Sequence, residues 1–494
     1  MSANGSSNPG NDNVLSAGNE RLERAMKRAS DAPLRAGNEL RLLKNGPATY
    51  EDWLEAIAGA ERWVHLENYI FENDGVGCRF ADALSSKAGE GVPVRVLHDW
   101  FGCADVPRSF WDGLREAGAE VRAVNPPSLH RGVRSFMRRD HRKLVGVDGS
   151  YASVGGVCIA DGWLERSSET SLPYRDTAVA FRGPAVADAE RAFAGAWDLS
   201  GAEPLPSGER PEAGDIAPAG EHDARVVIQE PGKARVLRTL ELLLAAVEER
   251  MWITDAYFLS APTLTQALIS TSRDGVDVRI LLPATNDLPW IGALSRTGYR
   301  PLLEAGVRIF EYGGPMIHAK THVADSRFSR VGSTNLNFSG LLANWEADLL
   351  SEDPSFGAEM EEMFEEDLEN AREIRLLGGS GSIHPRAIPD RKLDEGERRD
   401  QRRTNRGSLP GALRGSSGAA TATASRLGGE ALRSATEGAS LSAYERKLGA
   451  AVSASVLGLS LLGLRYPRLL AWPQAAVGLL VGGAGLLRAS RRGD

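Results

Sequence analysis

Two short stretches of the chain each place a lysine two residues after a histidine and an aspartate five residues further on. They read HRKLVGVD at 141–148 and HAKTHVAD at 318–325. The residues in these stretches whose side chains could take part in a reaction are His141, Lys143, Asp148, His318, Lys320 and Asp325. Both stretches have a strand-like pattern, and residues two apart on a strand point to the same face. Each histidine is therefore expected to project beside its lysine.

This combination of side chains suits displacement at phosphorus. Lysine supplies a positive charge and three donors for phosphate oxygens, and histidine can act as nucleophile or as general acid and base near neutral pH. If both stretches meet in one pocket, one histidine can attack while the other protonates the leaving oxygen. The sequence has no carboxylate cluster with the spacing of a divalent-cation site. We therefore expect neither a metal nor another cofactor.

The chain around the two stretches is repeated. Three segments of the first half recur in the same order in the second: ERWVHLENYIF (61–71) as ERMWITDAYFL (249–259), GVPVRVL (91–97) as GVDVRIL (275–281), and LREAGAEV (114–121) as LLEAGVRI (302–309). The period is the size of a domain, which indicates a duplication. Alternating strand and helix patterns predict an α/β sandwich in each copy, and two copies pack most simply about a pseudo-twofold axis.

Shifts in composition divide the chain into six segments. We predict a disordered N-terminus at 1–20, a first α/β domain at 21–200, a Pro- and Gly-rich linker at 201–223, a second α/β domain at 224–378, a flexible tail rich in Arg, Gly and Ser at 379–446, and a membrane helical hairpin at 447–488. The hairpin prediction depends on two uncharged apolar runs, 448–464 and 469–487, flanked by arginines. A pair of interfacial helices, or a helical pair packed on the soluble domains, is the alternative.

Charge and cysteine content exclude other classes of protein. The chain has 494 residues and a formal net charge of -8, which argues against a protein that binds nucleic acid through a basic face. Its three cysteines are too few and too scattered for a disulfide framework or a zinc site. The first residues lack the pattern of a secretory signal peptide.

The motifs resemble those of a known superfamily. HRKLVGVDG followed by GG, and HAKTHVAD followed by GSTN, resemble the paired H-x-K-x4-D motifs of the phospholipase D superfamily. LENYIFENDGVG, GVPVRVLHDW and YRDTAVAFRGPAV are similar to segments of bacterial cardiolipin synthases, and the similarity covers about residues 22–352. The resemblance implies two phospholipase D-like domains. It also implies a ping-pong reaction in which one phosphatidylglycerol loses glycerol to form a phosphohistidine and a second phosphatidylglycerol accepts the phosphatidyl group.

The resemblance assigns roles to the motif residues. His141 and His318 would be the nucleophile and the general acid/base. His141 is favoured as nucleophile, although the pseudo-symmetry leaves that choice open. Lys143 and Lys320 would bind phosphate. Asp148 and Asp325 belong to the same motifs, but they lie too far along the strand to reach the phosphorus and are expected to be structural.

Four further residues are expected to support the site. Ser333 and Asn335, in the intact GSTN segment, would bind phosphate. Asp176 follows the first motif and Glu346 follows the second, and a carboxylate at each position would orient an imidazole. The first half carries Cys158 where relatives usually have asparagine, so we expect the two half-sites to be unequal.

The expected partners are phospholipids, phosphatidylglycerol above all, and a membrane, with no nucleic acid; the sequence does not indicate an oligomeric state. The expected location is the cytoplasmic face of a bacterial inner membrane. Three alternatives remain open. They are a hydrolytic phospholipase D that releases phosphatidic acid, a phosphodiesterase nuclease on the same fold, and an inactive membrane scaffold.

Overall fold

A computed structural model of the chain describes residues 21–126, 138–164, 173–376 and 383–387. The predicted disordered N-terminus and the predicted membrane hairpin lie outside the described residues. So does most of the predicted tail, of which residues 383–387 form a strand. All the strands below belong to one compact unit, which includes the described residues 21–126, 139–164, 173–287, 294–376 and 383–387.

The first half of the chain alternates strands and helices as its pattern predicts. Its strands are β1 (Arg35–Lys44), β2 (Val64–Asn68), β3 (Val94–Asp99), β4 (Glu120–Val124), β5 (Lys143–Val147), β6 (Tyr151–Gly155) and β7 (Thr177–Arg182). Its helices are α1 (21–30), α2 (Asn45–Ala58), α3 (Gly75–Gly89), α4 (Arg108–Glu116) and α5 (Val186–Leu199). Helix α3 begins after Asp74, whose carboxylate accepts a hydrogen bond from the backbone N–H of Gly77, and so satisfies one free donor of the first turn.

The second half follows the same alternation. Its strands are β8 (His222–Gln229), β9 (Arg250–Thr254), β10 (Asp277–Pro283), β11 (Arg308–Tyr312), β12 (Thr321–Ala324), β13 (Phe328–Gly332), β14 (Glu346–Ser351), β15 (Ala371–Leu376) and β16 (Ile383–Ala387). Its helices are α6 (Arg235–Ala246), α7 (Pro262–Arg273), α8 (Pro289–Thr297), α9 (Tyr299–Glu304) and α10 (Pro354–Glu369). The predicted linker contains two short 3-10 turns, Ser207–Glu209 and Ala213–Asp215, and its last residues enter β8.

The described strands form one large mixed sheet, in the order β16-β15-β11-β10-β9-β12-β13-β14-β8-β1-β7-β6-β5-β2-β3-β4. Strands β2, β3 and β4 are mutually parallel, as are β9, β10 and β11, and the other pairs are antiparallel. In the middle, β1 pairs with β8 in an irregular register. From that pair outward, β7-β6-β5-β2-β3-β4 on one side matches β14-β13-β12-β9-β10-β11 on the other. The predicted α/β class is therefore confirmed.

Helices cover both faces of the sheet. On one face of the first half, α2 packs on β1 and β7 and α3 packs on β3, with Trp53 and Phe80 fully buried in the shared core. Helices α6 and α7 cover the second half in the same way, through Leu240 and Leu264. On the opposite face, α5 packs on β5 and β6, and α10 packs on β12 and β13. Strands buried on both faces need nearly continuous apolar residues, which explains runs such as VPVRVL and DVRILL.

Within the residues that the structure describes, no helix combines the length and the apolar composition needed to cross a membrane.

Candidate active site

The two histidine–lysine pairs lie at the entrances to strands rather than inside them. β5 begins at Lys143, and β12 begins one residue after Lys320. The backbone N–H of His141 donates to Trp345 O at 2.9 Å, and that of His318 donates to Arg175 O at 2.6 Å. Each histidine segment therefore pairs with a connection from the other half of the chain, and this pairing keeps the segment extended without a regular ladder.

The two carboxylates expected to orient the imidazoles do so across the halves. Glu346 Oε2 lies 2.8 Å from His141 Nδ1, and Asp176 Oδ2 lies 2.7 Å from His318 Nδ1. Asp176 follows the first motif in the chain but contacts the histidine of the second. Glu346 follows the second motif but contacts the histidine of the first.

This exchange fixes the tautomer of both rings. A carboxylate that accepts from Nδ1 holds the proton on that nitrogen and leaves Nε2 with its lone pair. Both histidine residues are more than nine-tenths buried. Burial lowers the pKa of His141 well below its ordinary value and that of His318 to about 4, and the nearby lysines lower both further. Two neutral imidazoles therefore face the site, and an anion bound beside them would favour a protonated form.

Glu346 is held by the second half of the chain. Ser333 Oγ donates to Glu346 Oε2 at 2.6 Å, and Asn344 Nδ2 donates to Oε1 at 3.1 Å. Burial raises the pKa of Glu346 to about 7, against the opposing effect of Lys143. Ser333, which was predicted to bind phosphate, thus donates its hydroxyl hydrogen to this carboxylate. Asn335 is buried, and its Oδ1 has no hydrogen-bond partner among the described residues.

Asp176 is held by different donors from those that hold Glu346. Trp163 Nε1 donates to Asp176 Oδ2 at 2.8 Å, and the backbone N–H of Thr177 donates to Oδ1 at 2.8 Å. Burial works to raise the pKa of Asp176, but His318 and the other donors hold it at about 2. A Cβ at position 156 would lie only 2.1 Å from Oδ1, so the carboxylate fits because Gly156 has no side chain.

Both lysines are fully buried beside their histidines. Lys143 Nζ donates to His141 O at 2.6 Å, and Lys320 Nζ donates to His318 O. Each ammonium group has three donors, so two remain for the oxygens of a bound phosphate. Burial lowers the pKa of Lys320 to about 8. No group of three or more His, Cys, Asp or Glu in the described part of the chain is arranged to hold a metal ion.

Aromatic rings pack edge-on against the imidazoles. The ring centre of Tyr69 lies 4.7 Å from that of His141, and the ring centre of Tyr257 lies 5.8 Å from that of His318. These tyrosines occupy corresponding positions in the repeated segments 61–71 and 249–259. Their recurrence was therefore a sequence signal for the site. The hydrogen bonds from Trp163 to Asp176 and from Asn344 to Glu346 had no such sequence signal, because neither donor belongs to a repeated motif.

Cys158 is buried in the first half. Its carbonyl accepts a hydrogen bond from the Tyr50 hydroxyl at 2.5 Å, and burial raises the pKa of its thiol. A thiol cannot supply the amide donor that Asn335 carries in the corresponding segment. The two half-sites thus differ in the groups that they can offer to a phosphate.

Asp148 and Asp325 bind backbone groups outside the site. Asp325 accepts hydrogen bonds at 2.9 Å from the N–H groups of three residues that lead into β9, namely Glu248, Glu249 and Arg250. Asp148 does the same for the three residues that lead into β2, namely Glu61, Arg62 and Trp63. Each aspartate therefore fixes the turn after its motif strand to the start of the neighbouring strand.

Replacement of Asp325 by alanine is expected to lower the free energy of unfolding by about 2 kcal/mol, since three donors lose their charged acceptor. Alanine also tolerates the backbone at φ 49° poorly. Chemical denaturation measures the loss. Asp325→Asn keeps one acceptor oxygen and should lose less. An Asp325→Ala protein that is stable but inactive would contradict the structural role.

Comparison with known proteins reveals close relatives. Residues 240–368 match a family model described as "Cardiolipin synthase, PLD-like domain". "Cardiolipin synthase A" of Pseudomonas fluorescens strain Pf-5 is 36% identical over 71% of this chain and 73% of its own length. "Cardiolipin synthase A" of Pseudomonas syringae pv. syringae strain B728a is 33% identical over 72% and 73%. These matches confirm the resemblance that the motifs predicted.

A solved structure supports the fold. The crystal structure of a phosphatidylserine synthase from Haemophilus influenzae superposes with a TM-score of 0.55, covering 72% of this chain and 92% of that one at 16% identity. At this identity the likeness indicates a shared fold alone.

Proposed function

Because the chain belongs to the cardiolipin synthase family of phospholipase D-like phosphatidyltransferases, we propose that it joins two phosphatidylglycerols into cardiolipin with release of glycerol. One observation carries the proposal. Two buried imidazoles, each held through Nδ1 by a carboxylate of the other half, stand beside two buried lysines. This arrangement provides a nucleophile, a proton carrier and two cations for a phosphodiester.

In the first half-reaction, His141 Nε2 attacks the phosphorus of the donor lipid. The bond between phosphorus and the glycerol headgroup breaks, and protonated His318 gives its proton to the leaving oxygen. Lys143 and Lys320 stabilise the charge on the phosphoryl oxygens. The products are a phosphatidyl group on His141, neutral His318 and free glycerol.

In the second half-reaction, a headgroup hydroxyl of the second phosphatidylglycerol attacks the phosphorus. Neutral His318 takes the hydroxyl proton as the new P–O bond forms, and the P–N bond to His141 breaks. Both imidazoles return to their starting protonation states. If water attacks instead, the product is phosphatidic acid, so exclusion of water decides between transfer and hydrolysis.

The assignment of His141 as nucleophile is supported by the unequal carboxylates. Asp176, whose pKa is about 2, remains ionised beside His318 and favours the imidazolium that a general acid needs. Glu346, whose pKa burial raises to about 7, stabilises charge on His141 less strongly. A neutral imidazole is the form that attacks phosphorus.

The proposal includes the architecture. Residues 21–200 and 224–378 would be duplicated domains about a pseudo-twofold axis, joined by the linker at 201–223. The matched strand order on either side of the β1–β8 pair supports this view, as do the two reciprocal histidine–carboxylate contacts.

Purified protein incubated with phosphatidylglycerol in mixed micelles tests the function. We expect cardiolipin and free glycerol in equal amounts, measured by mass spectrometry of the lipids and an enzymatic glycerol assay. Phosphatidic acid without cardiolipin would favour the hydrolase. Absence of both lipids as products would overturn the assignment.

The pH dependence of kcat/KM should be a bell with its maximum between about pH 7 and 8. Below about pH 7, Glu346 takes up a proton and no longer accepts from His141; above about pH 8, Lys320 loses its charge. Burial causes both shifts. A profile from about pH 5 to 10 measures the two limbs. In Lys320→Arg the falling limb should move to higher pH, because guanidinium keeps its charge. An unmoved limb would contradict its assignment to Lys320.

We further propose that residues 447–488 anchor the enzyme at the cytoplasmic face of a bacterial inner membrane, where its lipid substrates lie. Deletion of residues 447–494 is expected to move the protein from the membrane fraction to the soluble fraction, measured by flotation on a density gradient. Activity on substrate in detergent micelles serves as the control for folding. Full membrane retention of an active truncated protein would contradict the anchor.

A further inference from the structure

An exposed carboxylate stands beside the His318 side of the site. Both carboxylate oxygens of Asp287 lie 2.9 Å from the hydroxyl of Tyr257, and the Tyr257 ring packs edge-on against His318. The backbone N–H of Asp287 donates to Met316 Sδ at 3.3 Å, which ties it to the segment that carries His318. The position of Asp287 relative to this imidazole is therefore set by two separate contacts.

Asp287 retains capacity to bind a ligand. A carboxylate offers about four acceptor positions, and the single hydrogen of the Tyr257 hydroxyl uses one. The side chain is exposed, so the remaining positions are open to a solute. Tyr174 lies on the same side, with its ring centre 5.8 Å from that of His318 and 4.7 Å from that of Trp163.

At the position that corresponds to Asp287, the His141 side carries a cysteine. In the repeat, GVPVRVLHDWFGC (91–103) aligns with GVDVRILLPATND (275–287), so Cys103 corresponds to Asp287. Cys103 is buried, and its sulfur accepts a hydrogen bond from the backbone N–H of Phe71 at 3.3 Å. The carboxylate therefore distinguishes one side of an otherwise repeated site.

We propose that Asp287, Tyr257 and Tyr174 form a subsite for the glycerol headgroup, in which Asp287 accepts hydrogen bonds from the glycerol hydroxyls. The inference rests on the proposed function. In both half-reactions the glycerol oxygen exchanges a proton with His318, so the leaving and the accepting glycerol occupy the same side of the site. Hydroxyl groups donate to a carboxylate, and hydrogen bonds to a charged acceptor are stronger than those between neutral groups.

A synthetic donor separates this subsite from the chemistry at phosphorus. Diacylphospho-p-nitrophenol, the phosphatidyl ester of p-nitrophenol, has no polyol in its headgroup. Release of p-nitrophenol therefore reports formation of the phosphatidyl-histidine intermediate. Added glycerol then competes with water, and the yield of phosphatidylglycerol gives its half-saturating concentration. Asp287→Asn should raise that concentration about ten-fold, and by more than it changes p-nitrophenol release. Asp274→Asn, an exposed carboxylate at the end of α7, is the matched control and should change neither.

Acceptor choice provides the second measurement. With glycerol and ethanol in competition, Asp287→Asn should lower the ratio of phosphatidylglycerol to phosphatidylethanol about ten-fold relative to the unmodified protein, because ethanol has no further hydroxyl to donate to the subsite. Unchanged half-saturation by glycerol together with an unchanged acceptor ratio would overturn the subsite. If the unmodified protein formed no phosphatidylglycerol from this donor, the proposed function itself would fail instead.

Discussion

Replacement of His141 by alanine will abolish transfer from every phosphatidyl donor, whereas replacement of His318 will abolish it only from donors with a poor leaving group. In the proposed mechanism His141 forms the bond to phosphorus, so its loss removes the covalent route. His318 supplies a proton to the glycerol oxygen, and p-nitrophenolate leaves without one. We expect a fall of at least about 10⁴-fold for His141→Ala with either donor.

The two donors separate the histidines quantitatively. With phosphatidylglycerol, His318→Ala should lose about 10²- to 10⁴-fold, the usual contribution of general acid catalysis. With diacylphospho-p-nitrophenol, its burst of p-nitrophenol should survive within about ten-fold, and a phosphatidyl group on His141 should accumulate, because His318 is absent from the second step. Rapid acid-free quenching and peptide mass spectrometry detect that adduct. His222→Ala, a half-buried histidine at the start of β8, is the control.

An adduct on His318 in the His141→Ala protein, with none on His141 in the converse variant, would reverse the assignment. The chemistry would then remain, but with the two halves exchanged. Equal retention of activity by both variants with phosphatidylglycerol would exclude the shared site altogether.

Local patterns predicted much of this molecule. Alternating strand and helix segments predicted an α/β class. The three segments that recur in the same order in the second half predicted a site built from both halves. The H-x-K spacing made His141 and His318 candidate site residues, and position relative to the motifs did the same for Asp176 and Glu346, which lie within hydrogen-bond distance of the two imidazoles. The H-x-K inference depends on residues close in sequence, for which periodicity determines the face that two side chains share.

Contacts between distant segments could not be predicted in this way. Which carboxylate meets which histidine depends on pairing between the entrances to β5 and β12 and the connections of the opposite half. The same pairing explains why the histidines precede their strands. The phosphate-binding role of Ser333 stays a prediction, and nothing in the sequence indicated that its hydroxyl lies 2.6 Å from Glu346 Oε2. A hydroxyl can serve either partner, and only the fold decides between them.

Asp176 and Glu346, which each contact the histidine of the other half, are expected to have the second large effect on activity. Asp176→Asn and Glu346→Gln should each reduce turnover of phosphatidylglycerol by about 10³- to 10⁴-fold, since an amide of the same shape no longer holds the proton on Nδ1. Both are positioning residues, so each should reproduce the donor dependence of the histidine that it contacts. Asp176→Asn should therefore spare the p-nitrophenol burst, as His318→Ala does, although Asp176 follows the His141 motif in the chain.

Glu346→Gln should suppress the burst, because Glu346 holds the nucleophile. Glu190→Gln is the matched control: Glu190 is a buried carboxylate on α5 that lies 2.6 Å from His65 Nδ1, a pair of the same kind with no proposed role in the reaction. It should lower thermal stability and leave the donor dependence unchanged. If Asp176→Asn abolished the burst and Glu346→Gln spared it, each carboxylate would serve the histidine of its own half. A single chain would then work as two separate half-sites, and the reciprocal contact between the halves would be structural rather than catalytic.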